Sequence, residues 1–302
     1  MLSRLLRPLL SATAVAALAT SVAAPLAGSE VPAPVPVRPP AGPPEARYAV
    51  ARQNLLAAER TAAEHGHTRR SEALRAMANP ARRFLFFDGR DEGRSAEVFG
   101  DLTAAGRVAV LVPGTDTSLD RYGRLRADAL ALQRELGGRA AVIAWLGYRT
   151  PGTLSTALLT TDRADEAAPA LQALVRELGP ARVSLLCHSY GAVVCGRAAP
   201  GLGGVANIVL YGAPGTGTTA PLRTSTPVWA ARATGDWIAA VPHAQFSLPF
   251  GTLGLGLDPM SPGAGTRVFP AGGGRHSDYL RPGSPSLHAV AGIVAGIVAG
   301  RA

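Results

Sequence analysis

Lysine is absent from this chain of 302 residues: all 30 basic residues are arginine, against 21 acidic ones, for a formal charge of +9. Aromatic residues supply only 5% of the sequence and charged residues 17%. Nucleic-acid surfaces cluster Lys with Arg and often interleave aromatics. Here the arginines are scattered, so no nucleic-acid partner is expected. Arg, Ala, Gly and Pro share GC-rich codons, and genome composition accounts for the basicity better than a polyanionic partner does. Cysteine is nearly absent too. Cys187 and Cys195 are too few for an all-cysteine metal site, no paired histidine spacing suggests zinc, and no cysteine lies near the N-terminus to be lipidated. No metal and no cofactor is expected. What the chain has in quantity is apolar residues, 47% of the total, enough to bury a substantial core.

Residues 1–23 read as a signal peptide. Arg4 and Arg7 precede an apolar stretch from Leu9 towards Ala19, and Ser21-Val22-Ala23 presents small residues for cleavage. The alternative is an uncleaved membrane anchor, because the apolar run can be extended towards Leu26. Cleavage after Ala23 removes Arg4 and Arg7 and lowers the charge from +9 to +7. Residues 24–45 form a Pro-rich linker: seven prolines in the seventeen residues from Gly28 to Pro44 favour an extended spacer that buries no core. Residues 46–79 are helical. Ala51, Leu55, Ala58 and Ala62 recur at helical steps, Leu74 and Met77 resume them, and Gly66 divides two helices. The basic pairs Arg69-Arg70 and Arg82-Arg83 read as solvated faces without a role.

From residue 80 to 302, short apolar runs alternate with helical stretches, which predicts an α/β fold with a mostly parallel sheet covered by helices on both faces. The runs are Phe84–Phe87, Val108–Val112, Ala141–Trp145, Val183–Cys187, Asn207–Tyr211, Val228–Ala233 and Thr266–Phe269. Their continuous apolar character suits strands buried on both sides. Between them, Leu125–Leu136 and Ala164–Leu178 are amphipathic and stop at Gly137 and Gly179. The near-repeat Ala-Gly-Ile-Val-Ala-Gly-Ile-Val after Ser286 belongs to an apolar stretch of only about 13 residues, which suits a buried terminal helix better than a membrane span.

The chemistry centres on Val183-Ser-Leu-Leu-Cys-His-Ser-Tyr-Gly, a strand running into Ser189 and then into a helix-forming stretch. This is the context of a nucleophile elbow, whose tight turn demands small residues beside the serine. Gly191 meets that demand, while Cys187 stands where Gly is usual. A serine hydroxyl needs a base, itself oriented by a carboxylate, and in such sheets the three follow in the order Ser, acid, His at strand ends. Thr234-Gly-Asp236-Trp237 supplies Asp236, with Asp258 as its substitute, and Gly274-Arg-His276-Ser-Asp278-Tyr279 supplies His276. His188 adjoins the serine on the wrong side, His243 precedes the final strand and His288 falls in the terminal helix. The oxyanion of acyl transfer needs two amides, and Tyr190, after the nucleophile, and Thr115, in the turn Pro113-Gly114-Thr115-Asp116, are in place to supply them.

With these motifs in hand, residues 80–302 resemble a secreted bacterial α/β-hydrolase family, lipase- and esterase-like, long known as a domain of unknown function. The motifs are Pro-Gly-Thr-Asp-Thr, His-Ser-Tyr-Gly, Thr-Gly-Asp and His-Ser-Asp-Tyr. The resemblance implies serine-hydrolase chemistry on an ester, with Ser189, Asp236 and His276 as the triad. The expected substrate is a small-molecule or lipid ester, met in solution or at a membrane or cell-envelope surface. An acyltransferase would use the same residues, and a non-catalytic envelope-binding module could keep the fold. Trp145, Tyr148 and Trp237 follow strands and are candidates to line the substrate pocket, and residues 243–264 could form a cap. Export permits a disulfide, but strand-to-helix geometry is expected to leave Cys187 and Cys195 as buried free thiols.

Overall fold

Side chains alternate across each central strand, and both faces are buried. On β3 (Arg107–Val112), Ala109 and Leu111 join one apolar core while Val108, Val110 and Val112 join the other. This doubly covered arrangement is why the predicted strands read as unbroken apolar runs. The computed structural model describes residues 31–40, 42–179, 181–241, 246–248 and 251–297. The expected signal peptide and His243 lie outside them.

The strands are β1 (Arg83–Asp88), β2 (Arg94–Phe99), β3, β4 (Ala141–Leu146), β5 (Arg182–His188), β6 (Val205–Tyr211), β7 (Val228–Ala231) and β10 (Arg267–Val268). They form one sheet in the order β1-β2-β4-β3-β5-β6-β7-β10. β2 is antiparallel to both β1 and β4, and every other neighbouring pair is parallel. The chain is thus an α/β-hydrolase fold. A separate hairpin pairs β8 (Phe246–Leu248) with β9 (Gly251–Leu253).

Three helices border the first core: α1 (Pro44–Glu64), α2 (Thr68–Met77) and α3 (Gly123–Leu136), joined by the terminal α6 (Pro285–Ala295). α4 (Asp162–Glu177) and α5 (Tyr190–Ala198) cover the opposite face. Helical spacing accounts for each stripe. On α1, Ala51, Leu55, Ala58 and Ala62 are buried, and on α6 Leu287, Val290, Ala291, Ile293 and Val294 are, so the terminal apolar repeat is a core helix.

Three expectations need correction. The Pro-rich stretch is not a free spacer over residues 31–40: the Asn54 side chain on α1 accepts from the Val37 amide at 2.9 Å and donates to the Val37 carbonyl at 2.8 Å, and Val31 and Ala33 pack on the core. Two arginines read as solvated are instead drawn inward, Arg70 buried and Arg82 partly buried. Arg70 makes a two-pronged pair with Asp120 (2.6 and 2.9 Å), and Arg82 makes one with Glu97 on β2 (2.7 and 2.8 Å). A planar guanidinium fork matched to a carboxylate tolerates burial that an isolated charge does not. The same pair explains why β2 escapes the sequence reading. Arg-Ser-Ala-Glu has no strand-like apolar run, yet Ser95 and Glu97 are buried, Glu97 because its charge is met from outside the strand.

Candidate active site

The parallel strands deliver their C-terminal ends to one edge of the sheet, where loops can gather polar groups without breaking the core. Four of those ends carry the residues singled out from sequence. Ser189 follows β5, Asp236 follows β7, His276 follows β10, and Pro113–Thr115 follow β3.

Ser189 sits at φ 54°, ψ −126°, a conformation non-glycine residues rarely adopt, between the end of β5 and the first turn of α5. Its amide donates to the Tyr211 carbonyl on β6 at 3.1 Å, so the strained turn is tied to the sheet. Two glycines make room. A Cβ on Gly191 would come within 2.4 Å of the Val112 carbonyl oxygen, and one on Gly114 would come within 2.5 Å of the Ser189 Cβ. The sharp turn also folds α5 back on β5, which brings the Cα atoms of Cys187 and Cys195 to 6.4 Å, and the two form a disulfide. The expected free thiols are therefore corrected: the elbow itself closes the distance. The bridge spans a sequence separation of 8. Replacing both cysteines by serine is expected to cost about 2.5 kcal/mol on the loop-entropy estimate. Calorimetry should show a melting temperature lower by roughly 5–10 °C, and an unchanged value would mean the bridge does not stabilise the elbow.

The acid and the imidazole meet. His276 Nδ1 donates to Asp236, at 2.9 Å from Oδ1 and 3.0 Å from Oδ2. Asp236 also accepts from the Tyr279 hydroxyl at 2.6 Å and from the Ile238 amide at 2.9 Å. Burial pushes this carboxyl up, but the bonds from His276, Tyr279 and Ile238 outweigh it and hold the group below the usual carboxylate range. Asp258, the substitute acid, is engaged elsewhere, in a two-pronged pair with Arg232. His288 bonds Glu135 on the surface.

Several residues at the site were not singled out by sequence. Tyr279 is fixed in turn: its hydroxyl accepts the Ala233 amide at 3.0 Å while donating to Asp236. Tyr279→Phe leaves that buried amide unpaired and should cost about 1–3 kcal/mol of stability. The same change should lower turnover roughly tenfold by loosening the acid, and full activity with unchanged stability would contradict this placement. His188, rejected as a base, is nonetheless in the site. Its Nε2 donates to the His276 backbone carbonyl at 2.7 Å, and its ring lies against those of His276 (4.8 Å between centroids) and Tyr211 (5.3 Å). Burial, reinforced by His276, depresses it to about 3, so it holds the His276 loop as a neutral ring.

The loop after β3 is pinned from the segment after β4. The Tyr148 hydroxyl donates to the Pro113 carbonyl at 2.7 Å, Thr150 Oγ1 bonds both the amide and the carbonyl of Thr117 (3.1 and 2.8 Å), and Asp116 accepts from the Thr153 hydroxyl. Tyr148 is therefore a brace and not a pocket wall. Trp145 is likewise buried in the core, stacked on Tyr148, which stacks on Tyr190. Both were expected to line the substrate pocket and do not, because the β4 end turns them under the loop. Only Trp237 is at the site, 54% exposed, its ring 5.1 Å from that of His276. The Tyr190 ring is buried and its hydroxyl donates to the Thr160 carbonyl, leaving its backbone amide at the start of α5 beside Ser189.

Ser189, His276, Gly114 and Thr115 open on a common cavity of about 170 Å³. Among the described residues, none of 243–264 lines it, and no group of acidic, histidine or cysteine side chains could hold a metal ion. Such an arrangement offers a hydroxyl in a strained turn and an imidazole oriented by a carboxylate.

Comparisons with known proteins place the chain in a family. A family described as alpha/beta hydrolase matches residues 88–246, a span that holds Ser189 and Asp236. An uncharacterised protein of Mycobacterium tuberculosis is 29% identical over 180 residues, covering 51% of this chain and 68% of its own length. A second uncharacterised protein of that organism is 31% identical over 265 residues, covering 72% of this chain and 40% of its own length. Among solved structures, an alpha/beta serine hydrolase without a lid from Xanthomonas campestris aligns with a TM-score of 0.43 at 17% identity, covering 72% of this chain and 94% of the other. The esterase LipW from Mycobacterium marinum aligns with a TM-score of 0.43 at 15% identity, covering 81% and 88%. With more than half of its length matched by the family, the chain belongs to the alpha/beta hydrolases.

Proposed function

We propose that the chain is an exported serine hydrolase that cleaves a carboxylic ester through Ser189, His276 and Asp236. His276 takes the Ser189 proton as Oγ bonds the ester carbonyl carbon, and the amides of Tyr190 and Thr115 hold the developing oxyanion. The carbon–oxygen bond to the alcohol then breaks as His276 returns the proton to the leaving oxygen. Water attacks the acyl-enzyme with His276 again as base, and the carboxylic acid leaves. Asp236 orients the ring and stabilises its protonated form. The observation that carries this reading is that His276, held by Asp236 behind it, and the strained Ser189 share one cavity with Gly114 and Thr115. Export is supported by Arg4, Arg7 and the apolar run after them, and by the Cys187–Cys195 disulfide, since such bonds persist in oxidising compartments. Among the described residues no helix is long and apolar enough to cross a membrane.

A fluorophosphonate probe tests the reading directly. Labelling is expected at Ser189, located by peptide mass spectrometry, together with hydrolysis of p-nitrophenyl esters. A protein that is folded yet neither labelled nor active on any chain length would overturn it.

A further inference from the structure

α3 buries Leu125, Ala129, Leu132 and Leu136 against the sheet. Asp128, one turn beyond Leu125, falls at the edge of that stripe, and it lines the same cavity as Ser189 and His276. The cavity wall there includes Leu111, Leu125 and Tyr211 alongside Arg124. Among the described residues it makes no hydrogen bond or ion pair, and Arg124 is the charged neighbour that acts on it. Burial drives its carboxyl up to about 7, with Arg124 opposing. Burial first, and then the Asp128 charge, hold the Tyr211 phenol well above its ordinary value, and both residues line the cavity.

A partly buried carboxyl without a partner costs stability that Leu or Asn at the same position would not cost. Among the described residues no hydrogen bond or ion pair of the fold uses it, and a carboxyl kept in that state beside a candidate nucleophile and base fits a binding role. Arg124 limits what it binds. The guanidinium reaches the Ser277 carbonyl at 3.2 Å, next to His276, and also lines the cavity, so its positive charge disfavours a cationic group there. A neutral hydroxyl can donate to the carboxylate or pair with the acid. At about 170 Å³ the cavity is smaller than the roughly 300–1,000 Å³ of pockets for drug-sized ligands, which suits a short group.

We propose that Asp128 is a specificity-determining residue that hydrogen-bonds a hydroxyl group carried by the ester close to its scissile bond. The proposal rests on the serine-hydrolase reading above. The hydroxyl can come from the acyl part or from the alcohol part of the substrate, and the two are separable with matched pairs. One pair is p-nitrophenyl butyrate and p-nitrophenyl 3-hydroxybutyrate. The other is ethyl butyrate and 2-hydroxyethyl butyrate, followed by pH-stat.

The wild-type protein is expected to favour the hydroxylated member of one pair by about 10–100-fold in kcat/KM, the range of a hydrogen bond to a charged group. Asp128→Leu should abolish that ratio. Asp128→Asn keeps the shape and should weaken the ratio by about 3–10-fold, which covers the case in which the leucine variant fails to fold. A merely structural role for Asp128 would lower both members of a pair equally and leave the ratio intact. Ratios near one in both pairs, with Ser189 still labelled by fluorophosphonate, overturn the proposal alone. Absence of labelling in the folded wild type overturns the hydrolase reading and the proposal with it.

Discussion

Ser189→Ala is expected to abolish fluorophosphonate labelling and to lower ester turnover by on the order of 10⁵–10⁶-fold, the loss seen when the nucleophile of such a unit is removed. The fold should survive. Among the described residues Ser189 Oγ forms no hydrogen bond that holds the elbow; the turn is tied through its backbone amide to Tyr211 and through the Cys187–Cys195 bridge. The variant should therefore melt within a degree or two of the wild type while losing activity, a combination that separates chemistry from folding. Turnover within tenfold of the wild type would place the nucleophile elsewhere. Continued labelling of the variant would do the same.

Asp236→Asn should cost about 10⁴-fold in turnover with little change in KM. The carboxylate accepts the Nδ1 proton of His276 at 2.9 Å, which leaves Nε2 as the nitrogen without a proton. An amide can present its NH₂ to Nδ1 and hold the opposite tautomer, in which Nε2 carries the proton and cannot take another from Ser189. The same substitution has a pH signature. The Asp236 carboxyl lies below its ordinary 3.8, so it contributes stability that is present above that value and is lost as pH falls through its folded-state value. Acid unfolding of the wild type should include this contribution below about pH 4, and the Asn variant should lack it. Identical acid stability curves, or a loss of activity under tenfold, would contradict the assigned role.

The Ser189, Asp236 and His276 positions were legible because each ends or follows a recognisable apolar strand. Strand ends in a parallel sheet converge whatever lies between them in sequence. The same logic singled out Tyr190 and Thr115 as candidate oxyanion donors. It failed for Trp145 and Tyr148, which also follow a strand. Their direction depends on how the β4 end packs beneath the loop after β3, and no local pattern encodes that. His188 was dismissed from the chemistry because a neighbour of the nucleophile points away from it. The structure nonetheless brings its ring to the site, where Nε2 donates to the His276 backbone carbonyl.

The N-terminal half carries a parallel lesson. α1 and α2 were visible in their apolar spacing and in the break at Gly66, because helix formation depends on residues three and four apart. Whether the prolines ahead of α1 hang free or dock depends on Asn54, seventeen residues beyond Val37. A polar side chain on a helix gives no local sign that it will take both the amide and the carbonyl of another segment.

The sequence by itself determined the strand and helix periodicities and the α/β class, which follow from short-range pattern, while its motifs carried the resemblance to α/β-hydrolases and the order of the three candidate triad residues. Only the tertiary structure decided the disulfide, the Arg82–Glu97 pair that lets Glu97 be buried on β2, the bracing of the loop after β3 and the place of Asp128 in the cavity. Each of these depends on which distant groups meet once the sheet has closed. A buried charge or polar group takes its energy from the partner it finds there or fails to find, and not from its neighbours along the chain.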